Sequence, residues 1–129
     1  MGESGYGSRP DYRVDVLARR NRVTATVGGL LVADSTHGLI VDEQDHGLVV
    51  YFPPADVRLE LFVRDDRTSY CPFKGQATYR RLDRAGVAVL AWSYEEPYPE
   101  VARLAGHVAF FQDVVEVRLG AADPPVSGR

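Results

Sequence analysis

The chain has 129 residues, 45% hydrophobic and 26% charged, enough to bury one core without disulfides or metal. A net charge of −3 argues against non-specific nucleic-acid binding, which needs a basic face. The single cysteine excludes an internal disulfide and points to a reducing, cytoplasmic setting. There is no run of 18 apolar residues and no signal-peptide h-region, so neither a membrane nor a nucleic acid is expected as partner. "MGESGY" begins like a myristoylation signal but has Tyr6 where Ser or Thr is wanted.

The Gly- and Ser-rich residues 1–10 read as a disordered segment, residues 11–120 as a single β domain, and residues 121–129 as a flexible tail. "YRVDVLA" is the first strand signal. "RVTATV-GG-LLVADS" reads as a hairpin on a two-residue Gly-Gly turn. Its register sets Val23, Ala25 and Val27 on one face with Leu30, Val32 and Asp34, so Asp34 points inward at a strand end. "GLIV" and "LVVYF" come next, the latter apolar on both faces and therefore central. "PPADV" suits one helical turn with Pro54 near its start. "RLELFV" alternates as a strand, and "RDDRTSYCPFKG" reads as a loop.

A second hairpin, "QATYRRL-DRAG-VAVLAWSY", succeeds that loop. A four-residue connection sets Leu82 against Val87, Tyr79 against Leu90, Ala77 against Trp92 and Gly75 against Tyr94. The smallest side chains then meet the largest aromatics, a size match that cross-strand neighbours favour. "PYPEVARLAG" reads as a short helix, with Pro99 at its first position and Gly106 at its stop. "HVAFF" and "VEVRL" are the last strands. The sum is nine or ten short strands and one or two helical turns: a mostly β domain of compact, folded-over antiparallel sheets.

Of fifteen basic residues only Lys74 is lysine, and Cys71 and Trp92 are the only Cys and Trp. A nearby ammonium stabilises a thiolate, so Cys71 three residues before Lys74 is a candidate nucleophile. The alternative is a small buried hydrophobe beside a surface charge. Glu95, Glu96 and Glu100 are candidates for a buried acid, a general base or a partner of Lys74. Glu95 is the strongest of them because it leaves its strand beside the cysteine loop, whereas Glu96 fits a solvated turn. Asp34 is either a site carboxylate or a turn cap. His37, His46 and His107 are scattered and "CPFK" holds one Cys, so no metal site and no cofactor is expected. The P-loop, G-x-G-x-x-G, H-E-x-x-H and G-x-S-x-G motifs are all absent.

At "VADS", "YFPPADV", "SYCPFKGQATY" and "AWSYEEPYPE…GHVAFF" the chain resembles the domain of unknown function 427 family, over roughly residues 12 to 119. The order and spacing of the four motifs carry the resemblance, and Cys71, Lys74 and Trp92 all lie within them. The resemblance implies a zinc-less Mss4-like, or β-tent, fold. Catalogues sometimes label the family nucleotidyltransferase-like. This sequence has neither the phosphate-cradling Gly loop nor the paired metal-binding Asp of such chemistry.

These readings converge on a site walled by Tyr79, Trp92 and Tyr94, with Cys71, Lys74 and Glu95 beside them and Tyr51, Arg58 and Asp34 further out. Three functions are open. In the first, the domain binds a small anionic metabolite held by Lys74 and Arg58. In the second, it is an enzyme with Cys71 as nucleophile and Glu95 as acid or base. In the third, it is a structural or protein-interaction domain.

Overall fold

The structure is a computed structural model and describes residues 3–83 and 88–120. Ten strands succeed one another along these residues: β1 (Val14–Arg19), β2 (Val23–Val27), β3 (Leu30–Ser35), β4 (Gly38–Glu43), β5 (Val49–Tyr51), β6 (Phe62–Cys71), β7 (Gly75–Leu82), β8 (Val89–Tyr94), β9 (Val108–Phe110) and β10 (Glu116–Leu119). They form three antiparallel sheets, ordered β1-β4-β5, β10-β2-β3 and β6-β7-β8-β9. The helical content is short 3-10 turns, including Pro54–Asp56 and Pro99–Leu104, each opened by a proline. The fold is therefore mostly β, as the spacing of strand and turn signals indicates.

The β2–β3 hairpin turns on Gly28 and Gly29, whose φ angles of 54° and 82° suit residues without a Cβ. Beyond the turn the strand departs from the simple register. A bulge next to Ala25 pairs it with Ala33, and Val23 then pairs with Ser35. Val32 and Ala33 are both buried, and one extra residue reverses the parity of the rest of the strand. Asp34 consequently points outward, opposite Thr24, and Ser35 takes the buried position. The Ser35 hydroxyl donates to Asp56 at 2.7 Å and accepts from the His37 N–H at 2.9 Å.

The β7–β8 pairing also differs from the sequence reading. Ala77 faces Tyr94 and Tyr79 faces Trp92, each two residues from its expected partner. Arg81 pairs with Val89 rather than Ala88, and Leu90 is an extra residue where the register shifts again. Two single steps restore the original parity, so Trp92 and Tyr94 stay on the anticipated face. Gly75 pairs with Cys71 rather than Tyr94. Val87, the expected partner of Leu82, lies outside the described residues, as do residues 121–129.

Four further segments differ from the sequence reading. Leu59–Leu61 is a 3-10 turn rather than strand, and β6 instead runs through the polar "RDDRTSYC". Strand β5 lies at the edge of its sheet, and β4 is the central strand. Apolarity on both faces of β5 reflects its contact with another sheet: Phe52 and Val108 exchange backbone hydrogen bonds, each 2.8 Å. Residues 3–10, read as loose, contain a 3-10 turn at Gly5–Gly7 packed on the β6–β7 turn.

Two apolar clusters hold the sheets together. One gathers Val23, Val32, Phe52, Phe62, Leu90 and Phe110, among others, with Phe52 and Phe110 edge to face at 5.5 Å. The second gathers Leu39, Val41, Tyr51, Tyr94, Val101 and Leu104, and Cys71, Tyr79 and Trp92 pack partly buried against it. Burying such side chains is worth about 1.5–3 kcal/mol each. The second cluster is the solid backing of the candidate site.

Candidate functional site

The "CPFKG" stretch is the tight turn between β6 and β7. The Lys74 N–H reaches the Cys71 carbonyl at 3.3 Å, and the strands rejoin at Cys71 and Gly75. Gly75 has φ +117°, and a Cβ there would lie 3.3 Å from the Glu96 carbonyl oxygen. Glycine meets both conditions at no steric cost. The Tyr98 N–H also bonds to the Lys74 carbonyl at 3.1 Å, fixing the turn against the 94–98 segment.

This turn carries the only lysine inward, to 7% exposure. Its partner is Glu43, the last residue of β4, itself 8% exposed. Alternation along β4 puts Glu43 on the same parity as Leu39 and Val41, so its carboxylate is directed toward the apolar side. Lys74 Nζ donates to Glu43 Oε1, and the Tyr12 hydroxyl donates to Oε2 at 2.5 Å. His46 Nε2 lies 3.7 Å from the same Oε2, on an exposed ring. Burial pushes the Glu43 carboxyl up, but the Lys74 and Tyr12 hydrogen bonds and the Lys74 charge outweigh it and hold the carboxyl below its ordinary value. Burial, then the bond to Glu43, pushes the Tyr12 phenol up to about 12. Cys71 is a free, partly buried thiol whose Sγ lies 3.9 Å from Lys74 Nζ.

Aromatic side chains surround this polar group. Trp92 Nε1 donates to the Tyr51 hydroxyl at 3.1 Å, with the two rings edge to face. Phe111 lies 4.7 Å from Trp92 and parallel to Tyr79 at 6.3 Å. Burial pushes the Tyr51 and Tyr94 phenols up, so both stay neutral at physiological pH. On the other side Tyr12 stacks on Phe73 at 3.7 Å, and the Tyr6 hydroxyl donates to the Phe73 carbonyl at 2.7 Å. An open recess of about 470 Å³ lies among these groups, with Tyr12, Phe73, Tyr51, Trp92 and Phe111 on its walls.

Of the residues singled out from sequence, Cys71, Lys74, Tyr79, Trp92, Tyr94 and Tyr51 meet in this recess. Three do not. Glu95 is exposed on the opposite face of β8, where Arg64 Nη2 donates to it at 2.6 Å and Arg80 lies 3.8 Å away. The Arg64 bond, against a smaller cost of burial, holds its carboxyl below the usual range. Asp34 is exposed and bound by Arg22 at 2.7 and 2.8 Å. Arg58 is exposed beside Glu60 at 3.4 Å. The pairing of Lys74 with Arg58 around one anion is thus replaced by a Lys74–Glu43 pair.

Glu43, Tyr12, His46, Phe73 and Phe111 also line the recess; of these the sequence reading considered only His46, and that as a scattered histidine. A signal existed for Glu43: an acid on apolar parity at the end of "GLIVDE" needs a partner. Tyr12 and His46 had none, because loop connections bring them in. Among the described residues, no group of three or more His, Cys, Asp and Glu is placed to hold a metal ion. Among the same residues, no helix is long and apolar enough to cross a membrane.

The class these features define is a small antiparallel β domain with an aromatic-lined recess around a buried ion pair. The family model described as Domain of unknown function (DUF427) matches residues 15–120, most of the chain, and the protein belongs to that family. No curated protein matches it.

Proposed function

We propose that the domain binds a small molecule in the recess. The flat body of the ligand lies among Trp92, Tyr79 and Phe111, and an acceptor group, carboxylate or carbonyl, meets the Lys74 ammonium. The observation that carries this reading is the only lysine of the chain, buried where aromatic rings converge. Recesses of this size, mainly apolar with a few polar groups, suit ligands of metabolite size. Glu43 already balances the Lys74 charge, so the acceptor adds a hydrogen bond rather than supplying the counter-ion. The aromatic walls therefore carry most of the affinity, and bare inorganic anions bind poorly. The free thiol supports a cytoplasmic location for this activity.

Trp92 is the only tryptophan, so its fluorescence reports the recess directly. Titration with 4-hydroxybenzoate is expected to quench it and to raise the melting temperature by mass action. The same titration on Lys74→Met is expected to need a higher ligand concentration, by about tenfold, for half-maximal quenching. Equal responses from the two proteins, or none from either, would sink the reading.

A second reading rests on the 3.9 Å approach of Lys74 Nζ to Cys71 Sγ. In it Cys71 is a nucleophile toward a bound electrophile, assisted by the Lys74 charge. Iodoacetamide should then label native Cys71 faster than it labels Cys71 in Lys74→Met. Labelling only on unfolding would exclude it.

A further inference from the structure

We infer that Lys74 is a carbonyl-capturing amine, and that the recess takes small aromatic aldehydes or ketones as covalent ligands through an imine. The inference rests on the binding reading above and specifies its ligand class. Three observations carry it.

The first is the amine itself. Lysine is the side chain suited to forming a Schiff base, which an arginine cannot do in its place. The chain has fourteen other basic residues, all arginine, and its one lysine is among the buried polar residues.

The second is a proton acceptor already in contact. Lys74 Nζ donates to Glu43 Oε1. Glu43 Oε2 in turn meets the Tyr12 hydroxyl and faces His46, whose side chain is 61% exposed.

The third is the enclosure. Trp92, Phe111 and Tyr79 line the same recess as Lys74, and the recess has room for a single-ring ligand. An aromatic carbonyl compound seated on them has its carbonyl carbon near the amine, which turns a bimolecular step into a local one.

The chemistry balances without any further reagent. The pair rests as ammonium and carboxylate, and the reactive form is the minor one in which the ammonium has passed one proton to Glu43, leaving a neutral amine and a protonated carboxyl. The nitrogen lone pair attacks the carbonyl carbon and forms the C–N bond. The carbonyl oxygen takes the second nitrogen proton, directly or through water, to give a carbinolamine. Glu43 returns its proton to that hydroxyl, the C–O bond breaks, and water leaves. The nitrogen keeps its last proton as an iminium cation, paired with the restored Glu43 carboxylate. Ammonium plus carbonyl thus gives iminium plus water, with charge conserved and nothing oxidised or reduced.

The test uses the intact protein with 4-hydroxybenzaldehyde and sodium cyanoborohydride, which reduces an imine to a stable secondary amine. Intact-mass analysis and peptide mapping then locate the adduct. The chain has one lysine, so the only competing primary amine is its α-amine. The expected result is one adduct at Lys74, formed about tenfold or more faster than on Lys74 of the urea-unfolded chain, as proximity in a preformed site requires. Excess 4-hydroxybenzyl alcohol, which has the ring but no carbonyl, should slow it competitively. Cys71→Ser should still form the adduct and Lys74→Arg should not. The competition arm needs no variant and decides the matter even where Lys74→Arg fails to fold. Labelling confined to the α-amine, equal rates in folded and unfolded chains, or indifference to the alcohol overturns the inference. Trp92 quenching by the alcohol with no Lys74 adduct from the aldehyde overturns covalent capture while leaving the binding reading standing. No response of Trp92 to either the alcohol or 4-hydroxybenzoate, and no adduct, overturns both.

Discussion

Two glutamates of this domain each close an ion pair across 31 residues of sequence, with opposite consequences. Glu95 meets Arg64 on an open face where both side chains are about half exposed. Glu43 meets Lys74 where both side chains are close to 10% exposed, with Tyr12 bonded to the second oxygen. In water the first pair gains little, because solvent screens the attraction and both chains lose freedom. The second pair has given up its hydration, so each partner needs the other. Lys74 and Glu43 therefore constrain the recess, whereas Arg64 and Glu95 decorate the rim of a sheet.

The comparison can be broken at its strongest point first. Lys74→Met leaves the Glu43 charge buried with Tyr12 as its main partner, and urea unfolding should show a loss of about 3–5 kcal/mol. A loss below about 1 kcal/mol, the range of an exposed pair, would mean that the pair is effectively solvated. Trp92→Ala removes a large but only partly buried ring, and should cost about 3 kcal/mol in the same measurement. It should also abolish quenchable fluorescence while leaving far-ultraviolet circular dichroism intact.

Acid sharpens the contrast. The folded Glu43 carboxyl titrates below its unfolded value of about 4.3. Its contribution is thus complete above that value and is lost as pH falls through the lower, folded one. Glu43→Gln should flatten the acid limb of a stability–pH curve, and the flattening should survive added salt. Glu95 is depressed in the same direction, but its contribution should shrink in salt. The smallest effect is expected from Arg64→Ala: under about 1 kcal/mol, vanishing near 1 M salt, with Trp92 fluorescence unchanged.

Much of the architecture was legible in the sequence, and the misread registers have a common cause. Gly28-Gly29 marks its hairpin because two positive φ angles demand residues of that kind. Pro54 and Pro99 mark helical starts because their fixed φ suits a first turn. Bulges are not marked in this way. One beside Ala25 turned Asp34 outward, and one at Leu90 moved the β7–β8 pairs of Ala77 to Arg80 by a further step. The aromatic half of the recess survived because two single-residue shifts cancel in parity, which keeps Trp92 and Tyr94 on the predicted face. The polar half did not. Glu43 was hidden at the end of an apolar strand, while Glu95 drew attention by its position beside aromatic residues. Proximity in sequence to "CPFK" proved a poor guide, since Glu95 leaves β8 on the face away from Lys74.

The contact between the N-terminal segment and the Phe73 turn has a practical side. Tyr6 and Phe73 are 67 positions apart, yet the Gly5 backbone and the Tyr6 side chain hold the turn that presents Lys74. A Cβ at Gly5 would lie 2.7 Å from the Phe73 ring, so this segment sits with no slack. A purification tag or fusion partner joined ahead of residue 5 is therefore not a bystander. It is expected to disturb one wall of the recess, and a protein tagged at the other end is the fairer sample for any ligand screen.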